Sequence, residues 1–355
     1  MGTTLNEVRM GVIGAGGAGR SRVRSMLETY KDKIRIVATA DPNEDNIVQL
    51  EKIAGKIPEN RKYATKEGYR QMIEDGDLDA VGIFSPHSLH YEHLMHSLGA
   101  RLHVLIEKPF VTGVGDAIRS CRLAEKKDVA LVVCYQRHFQ PQYSFGRELI
   151  ASKRLGDVTG FYVYMAQDWG VKGTWRWNPE FSRGQPDDSG SHYQDILLWM
   201  TGLLPEAAEG TVDYWYHGDI APVPINSNTQ VTLSNGAKGR LMIIGDYYKG
   251  FTDDVRIEMT DGLMTFERGK IDVTRKDGRA YSVGDLHLPN NYPTSPEDNL
   301  IGLLTGRYEE NYVPGIFGAR VSLLADAILG AGETGKEVIC EELVKAAGYS
   351  MNDLR

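Results

Sequence analysis

Cysteine is scarce. Cys121, Cys134 and Cys340 stand far apart in 355 residues. An odd, scattered set makes neither a disulfide framework nor a zinc pattern, and it points to a reducing cytoplasm. No block of like charge and no low-complexity tract interrupts the chain. The formal net charge is −8 and the pI about 5.7, so the chain lacks the basic excess that nucleic acid or an anionic membrane surface selects, and neither partner is expected. No apolar run approaches the length needed to cross a bilayer. The first residues lack the charged-then-apolar layout of a signal peptide. "MGTTLN" opens like a myristoylation signal, but Asn6 stands where Ser or Thr is required. Internal repeats are absent too.

What is present is enough sequence for two domains. Through residue 135, β-branched apolar segments alternate with helical ones. "VRMGVIG" (8–14), "IRIVATAD" (34–41), "AVGIFS" (80–85), "HVLIE" (103–107) and "VALVVCY" (129–135) read as strands, with helical spacing between them. Alternation of this kind predicts βαβ units and a parallel sheet covered on both faces. After about residue 138 the pattern becomes one helix, then alternating strands with hairpin signals at Asn235-Gly236, Asp261-Gly262 and Asp277-Gly278, then helices again. The fold class expected is an α/β domain with a parallel doubly wound sheet over 1–137. It is followed by an α+β domain with a large, mostly antiparallel open sheet over 138–355, whose last helices can pack back on the first domain.

Gly14, Gly16 and Gly19 form G-x-G-x-x-G between a strand and a helix, with Gly17 an extra glycine in the loop. The first glycine permits the tight turn, the second lets a pyrophosphate approach, and the third packs helix on strand. The helix N-terminus then offers free N–H groups to the phosphates. Asp41 closes the next strand about 20 residues on, where an acid can bond both ribose hydroxyls. A carboxylate there repels a 2′-phosphate, and "DPNEDN" supplies no neighbouring cation, so NAD is expected rather than NADP.

"VLIEKPF" (104–110) ends an apolar strand on Glu107, Lys108 and Pro109. Charges at such a place cost desolvation unless they are paired or employed. They fall at the carboxyl edge of the sheet, where ligands of open α/β sheets bind. An ammonium there can hold a substrate oxygen, although most lysines are simply solvated or salt-bridged. Pro109 limits the backbone, and a cis Lys–Pro bond is open to it.

"QPDDSGSHYQDILLWMTG" (185–202) carries a second constellation. Ser191 and Gln194 match a capping box, and Gly202 with Pro205 matches a helix end, so a helix begins near His192. Asp188 and Asp195 can both reach the imidazole. The segment reads either as an acid/base group or as a capping and salt-bridge cluster. His87, His90, His93 and His96 recur every third residue, but this spacing drifts around a helix and brings no carboxylate set, so no metal is expected. His93 and His96 read as exposed helix residues. Trp175 and Trp177 offer faces for a sugar ring or a subunit contact.

"LDAVGIFSPHSLHYEHLMHSLGARLHVLIEKPF" (78–110) resembles the signature of the glucose–fructose oxidoreductase/inositol dehydrogenase/MocA (Gfo/Idh/MocA) oxidoreductases. "GVIGAGGAG", the crossover-like "YQRHFQPQYSFGRELIASKRLGDV" (135–158) and "DSGSH" extend the resemblance over nearly the whole chain. Two residues more than the family usually has lie between Gly99 and His103, and "GQPDD" replaces a glycine-rich run. The resemblance implies a Rossmann domain joined to an α+β domain whose open sheet often mediates oligomers. It implies that Lys108 binds the reacting hydroxyl, that His192 is the acid/base and that Asp188 is its partner, with Asp187 and Asp195 as alternatives. Ser85, Pro86, His87 and His90 would line the cofactor near the nicotinamide, Glu107 and Lys108 would lie at the same edge, and Gln136 and Arg137 beside the ring. Trp175, Trp177, Asp188, His192 and Lys108 are the expected substrate contacts.

The reading is a cytoplasmic NAD-dependent dehydrogenase of a secondary hydroxyl in a sugar, polyol or related carbohydrate. The alternatives are an enzyme that cleaves glycosides through transient oxidation and elimination, and a non-catalytic NAD-binding regulator. Aromatic and apolar residues in both phases of "FYVYM" and "VDYWYHG" predict a covered sheet face, hence a homodimer or homotetramer.

Overall fold

Strands β1 (Val8–Ile13), β2 (Ile34–Ala40), β3 (Lys62–Tyr63), β4 (Ala80–Ile83), β5 (His103–Ile106) and β6 (Leu131–Val133) form a six-stranded sheet in the order β3-β2-β1-β4-β5-β6. These coordinates are a computed structural model that describes residues 4–355. Every pairing in the sheet is parallel. The strands are near-continuous apolar runs, as two covered faces require; all four residues of β4 are buried. The order reverses between β1 and β4, which makes the carboxyl edge there the ligand crevice of a doubly wound fold.

This sheet lies in the first of two units, which takes the chain to Thr112, Asp116–Gln136 and Asn291–Ile316; the second takes Gly113–Gly115, Arg137–Asn290 and Phe317–Arg355. The chain therefore passes to the second unit at Gln136–Arg137 and returns to the first for the helix Pro296–Leu304. The myristoylation-like Gly2 lies outside the described residues.

The second unit is built on an eight-stranded sheet. Its strands are β7 (Val158–Asp168), β8 (Pro205–Asp213), β11 (Asn226–Leu233), β12 (Lys238–Ile244), β13 (Asp246–Met259), β14 (Gly262–Glu267), β15 (Lys270–Arg275) and β16 (Val338–Ile339). Their order is β15-β14-β13-β7-β12-β11-β8-β16. Only β12 and β7 pair in parallel. The three dipeptide turn signals sit where expected, and Gly236 (φ +84) and Gly278 (φ +82) supply left-handed backbone. The segment that carries "VDYWYHG" does not form one strand. β8 ends at Asp213, and Trp215–Tyr216 (β9) pairs with Asp219–Ile220 (β10) in a separate hairpin. Tyr216 is buried there, packed with Trp169, Val171 and Val223, so it does not belong to the covered face of the large sheet that "VDYWYHG" predicts.

The helix Ser191–Thr201 packs on β7 and is buried all round except at His192 and Thr201. Its start differs from the capping box read in the sequence. The Ser191 hydroxyl donates to the Asp188 carbonyl at 2.7 Å and the Gln194 amide to the Pro186 carbonyl at 2.8 Å, so both side chains reach back to the preceding turn. Gly202 (φ +68) closes the helix as expected. Among the described residues one helix, Gly315–Thr334, meets the length and apolarity of a membrane span, an exception to the expected absence of such runs; 67% of its apolar window is buried, as in a core helix.

His93 is a further correction, since it is buried rather than exposed. Its Nδ1 lies 2.9 Å from the Ser85 hydroxyl, and its ring packs 4.3 Å from that of Tyr69. Burial lowers its pKa from 6.5 to about 4. The folded ring thus holds a proton less tightly than the unfolded one, so its contribution is complete above pH 6.5 and is lost as pH falls toward 4. Over that window wild type should lose roughly 3 kcal/mol more stability than His93→Gln. Urea unfolding of both proteins across the window checks this; parallel stability curves would contradict it.

Candidate functional site

The turn after β1 places its glycines in two classes. Gly14 has φ +90, and a β-carbon on it would lie 2.7 Å from the Phe84 carbonyl carbon. A β-carbon on Gly19 would lie 2.1 Å from the Gly14 carbonyl oxygen. These two are glycine because the helix Gly17–Tyr30 must rest directly on the strand turn. Beyond their immediate chain neighbours and the helix's own backbone, Gly16 and Gly17 have no protein atom within 4 Å of a built β-carbon. They face open space, as a backbone that a pyrophosphate approaches must. No side chain caps this helix and its first turn holds no acid, which leaves its N–H groups to an anion.

Asp41 is 7% exposed at the end of β2. Its carboxylate accepts from Ala15 N–H and Asn43 N–H, each at 2.8 Å, and from the Asn46 amide at 3.2 and 3.3 Å. It therefore braces the glycine turn as well as ending the strand. Arg20, which the sequence reading passed over, donates to Ala15 O at 2.9 Å and to Asn46 Oδ1 at 3.1 Å. A cation thus reaches Asp41 indirectly, through the Asn46 side chain that bonds both.

Beyond β4 come Ser85, Pro86, His87 and His90. His90 is fully buried with Nδ1 2.9 Å from Pro109 O and 3.0 Å from Phe110 O, and Nε2 2.9 Å from Ser85 O. Burial lowers its pKa, with those carbonyls pulling the other way. The imidazole clamps the loops after β4 and β5 together, a scaffold contact that the three-residue spacing could not show. His87 is buried with its ring edge-on to His90 at 5.9 Å. Glu107 accepts from Arg22 Nε at 2.5 Å and from the Lys108 N–H at 3.0 Å. Lys108 is half-buried, and its bond to Pro109 is cis. Gln136, just past β6, keeps its Oε1 buried with no hydrogen-bond partner among the described residues. Such an acceptor costs about 1–3 kcal/mol unless a donor arrives. An open glycine cradle and an orphaned amide oxygen both fit a dinucleotide at this edge.

The second unit holds the other candidates. His192 is the half-exposed residue at the start of an otherwise buried helix. Asp187 and Asp188 are buried just before it. Asp188 Oδ2 accepts from Trp169 Nε1 at 3.1 Å and from Arg176 Nε at 2.8 Å. Arg176 also lies 4.5 Å over the ring of Trp175. Trp169 and Arg176 are contacts that the sequence did not single out, although both belong to the Trp-rich stretch before the helix. Trp177 packs edge-on to Tyr216 at 5.4 Å, against the small core around Trp169 and Val171. Asp195 is bound to another histidine. Both its oxygens lie 3.0 Å from His138 Nε2, whose ring stacks on Trp199 at 4.0 Å. Burial raises the Asp195 pKa while His138 opposes it. Arg137 lies 4.0 Å over the ring of Tyr193, whose hydroxyl donates to Asp253 at 2.9 Å. Among the described residues no group of three His, Cys, Asp or Glu side chains could hold a metal ion.

Residues 8–135 match a family model described as an oxidoreductase family with NAD-binding Rossmann fold, and residues 144–265 match the GFO/IDH/MocA C-terminal domain. The rhizopine catabolism protein MocA of Rhizobium meliloti is 28% identical over 66% of this chain and 70% of its own length. The NADP-dependent scyllo-inositol 2-dehydrogenase of Bacillus subtilis is 25% identical over 59% of this chain and 55% of its own. The aligned stretches span from 36% to 70% of the lengths of the curated relatives that the chain matches. Among solved structures, the WlbA dehydrogenase of Bordetella pertussis, in complex with NADH and UDP-GlcNAcA, superposes with a TM-score of 0.80. It is 20% identical, over 95% of this chain and 99% of that one.

The two classes of glycine should separate on substitution. Gly19→Ala should destabilise the fold by about 1–3 kcal/mol or more, because its β-carbon meets backbone. Gly16→Ala should leave the melting temperature within about 2 °C, yet raise the Kd for NADH at least about tenfold, a loss of roughly 1.4 kcal/mol. Thermal melts with NADH titration decide; wild-type NADH affinity in Gly16→Ala would remove the turn from phosphate binding.

Proposed function

We infer the function from one premise: the chain belongs to the Gfo/Idh/MocA family of oxidoreductases and carries that family's NAD-binding Rossmann domain. We propose that it is an NAD-dependent dehydrogenase of a CH–OH group in a sugar, polyol or related carbohydrate. The observation that carries this reading is Lys108 at the end of β5, on the sheet edge where the open Gly16–Gly17 cradle lies. A relative named for an inositol, and a solved neighbour in complex with UDP-GlcNAcA, support the substrate class.

In this proposal Gly14–Gly19 and the helix behind them hold the pyrophosphate, Asp41 takes the adenosine ribose, and the Gln136 amide meets the nicotinamide end. The bound nicotinamide supplies the hydride acceptor. Lys108 holds the hydroxyl oxygen and steadies the negative charge that grows on it. His192 removes the hydroxyl proton, with Asp188 and its Arg176 and Trp169 contacts fixing the turn in front of it. Trp175 and Trp177 flank that segment and are assigned to the substrate side.

Lys108→Ala and His192→Ala should each lower kcat by at least about a hundredfold. Both should still bind NADH, because neither belongs to the phosphate turn. A panel of sugars and polyols with NAD, followed by fluorescence titration with NADH, separates turnover from binding. Near wild-type kcat in His192→Ala would give the proton to another group. In wild type, NADH that accumulates with substrate turnover marks net dehydrogenation, and product without NADH marks redox-assisted glycoside cleavage.

Asp41 should enforce a preference for NAD. Its removal also frees the Ala15 N–H, so absolute rates fall with both cofactors and the ratio is the informative quantity. The NADP/NAD ratio of kcat/KM should rise at least about tenfold in Asp41→Ala, one charge repulsion of roughly 1.4 kcal/mol. An unchanged ratio would leave selection to other groups.

We also propose self-association through the second unit. Tyr162 and Tyr164 stack 6.5 Å apart on β7 and are half-buried, with Arg256 5.6 Å over Tyr162. Tyr248 and Phe251 on β13 are 76% and 53% exposed. Exposed aromatic surface of this kind usually marks an interface. Light scattering at micromolar concentration should give at least twice the chain mass of 39.5 kDa; a monomer at every concentration would refute it.

A further inference from the structure

The buried charges of the first unit include a set that the chemistry above does not use. Arg22, on the helix after the glycine turn, donates through Nε to Glu107 Oε1 at 2.5 Å and through Nη1 to Glu297 Oε1 at 2.8 Å. The side chains of Arg22, Glu107 and Glu297 are 18%, 12% and 3% exposed. Burial works against the charge on Arg22, but the two carboxylates bonded to it outweigh this and hold the guanidinium pKa above its ordinary value. A buried ion triad seldom stabilises more than well-packed apolar side chains would, so its presence asks for another reason.

The geometry supplies one. Glu107 divides its carboxylate between two tasks: Oε1 meets Arg22, and Oε2 accepts the Lys108 N–H at 3.0 Å. The next residue, Pro109, has no N–H to give, and the carbonyls of Pro109 and Phe110 are taken by His90. The backbone of Lys108 is thus held from one side by Glu107, and the rotamer of Glu107 is held by Arg22. Glu297 fixes the other arm of the guanidinium from a helix that enters the unit nearly two hundred residues later.

We propose that Arg22 and Glu297 are positioning residues for Lys108, acting through the carboxylate of Glu107. This rests on the reading of Lys108 as the group that holds the substrate hydroxyl. Without the guanidinium, Glu107 and Glu297 become two like charges in a buried place. One must take a proton or turn away, and Oε2 no longer fixes the Lys108 amide. A displacement near 1 Å at a reacting group costs on the order of a hundredfold in rate.

The test uses Arg22→Gln, Arg22→Lys and Glu297→Gln in the full chain. Two readouts are taken: the pH profile of kcat, and the rate of reductive methylation of Lys108 followed by peptide mass spectrometry. Arg22→Gln should lower kcat by about ten- to a hundredfold, with the NADH Kd within about threefold of wild type. Its acid limb should move to higher pH as the unpaired carboxylates titrate. Methylation of Lys108 should change at least about threefold while other lysines keep their rates. Arg22→Lys, which keeps the charge but loses the fork, should recover part of kcat. If Arg22→Gln does not fold, Glu297→Gln carries the same readouts with smaller effects. Unchanged Lys108 methylation and an unchanged pH profile in a folded variant would overturn the proposal. The methylation readout needs no turnover. A wild type inactive on every CH–OH substrate, with Lys108 methylation still altered in Arg22→Gln, would sink the dehydrogenase reading and leave the positioning intact.

Discussion

Parallel pairing throughout the first sheet is the constraint from which the rest of that unit follows. Because β1, β2, β4, β5 and β6 run the same way, the residues that follow them all emerge at one edge. Gly14, Asp41, Ser85, Glu107-Lys108 and Gln136 are far apart in sequence and share that edge for this reason alone. The reversal of strand order between β1 and β4 then opens the edge into a crevice. Nothing in the glycine turn would matter chemically if the Lys108 strand ran the other way.

The same edge shows how the chain meets the cost of burying polar groups. Asp41 satisfies the Ala15 and Asn43 N–H groups, His90 faces three carbonyls, and Arg22 joins two glutamates. Each contact braces a connection at the carboxyl edge of the sheet. The second unit uses a comparable device. Its helix Ser191–Thr201 is buried nearly all round, and the His138–Asp195 pair and the Arg137–Tyr193–Asp253 cluster surround it. A rigid helix that opens to solvent only at its two ends is a good mount for His192, since its backbone is fixed from behind.

Periodicity and punctuation made the architecture legible. The βαβ alternation, the glycine turn, the Asn-Gly and Asp-Gly hairpins and the Gly202 stop are local signals, and the coordinates place each of them where the spacing puts it. The misreadings share one cause, tertiary contact that no local pattern carries. Ser191 and Gln194 have the residue types of a capping box, yet they turn to Asp188 and Pro186 because the preceding turn is packed against them. His93 looks like a solvated helix residue until Tyr69 covers it. Arg20 and Arg22 carry no local signal of their own, because their partners Asn46, Glu107 and Glu297 arrive from elsewhere in the chain. For the candidate site, the glycine, E-K-P and D-x-G-x-H residues were legible as motifs; their supporting partners Arg22, Trp169, Arg176 and Glu297 were not.

The central claim is removal of a hydride from a carbinol carbon by a bound nicotinamide, in a site furnished by this chain. A polyol or sugar that turns over, deuterated at its carbinol carbons, tests it by the mass of the dinucleotide recovered. The account predicts one deuterium in the reduced cofactor for each ketone formed. Product that forms while the recovered cofactor carries no deuterium would contradict it.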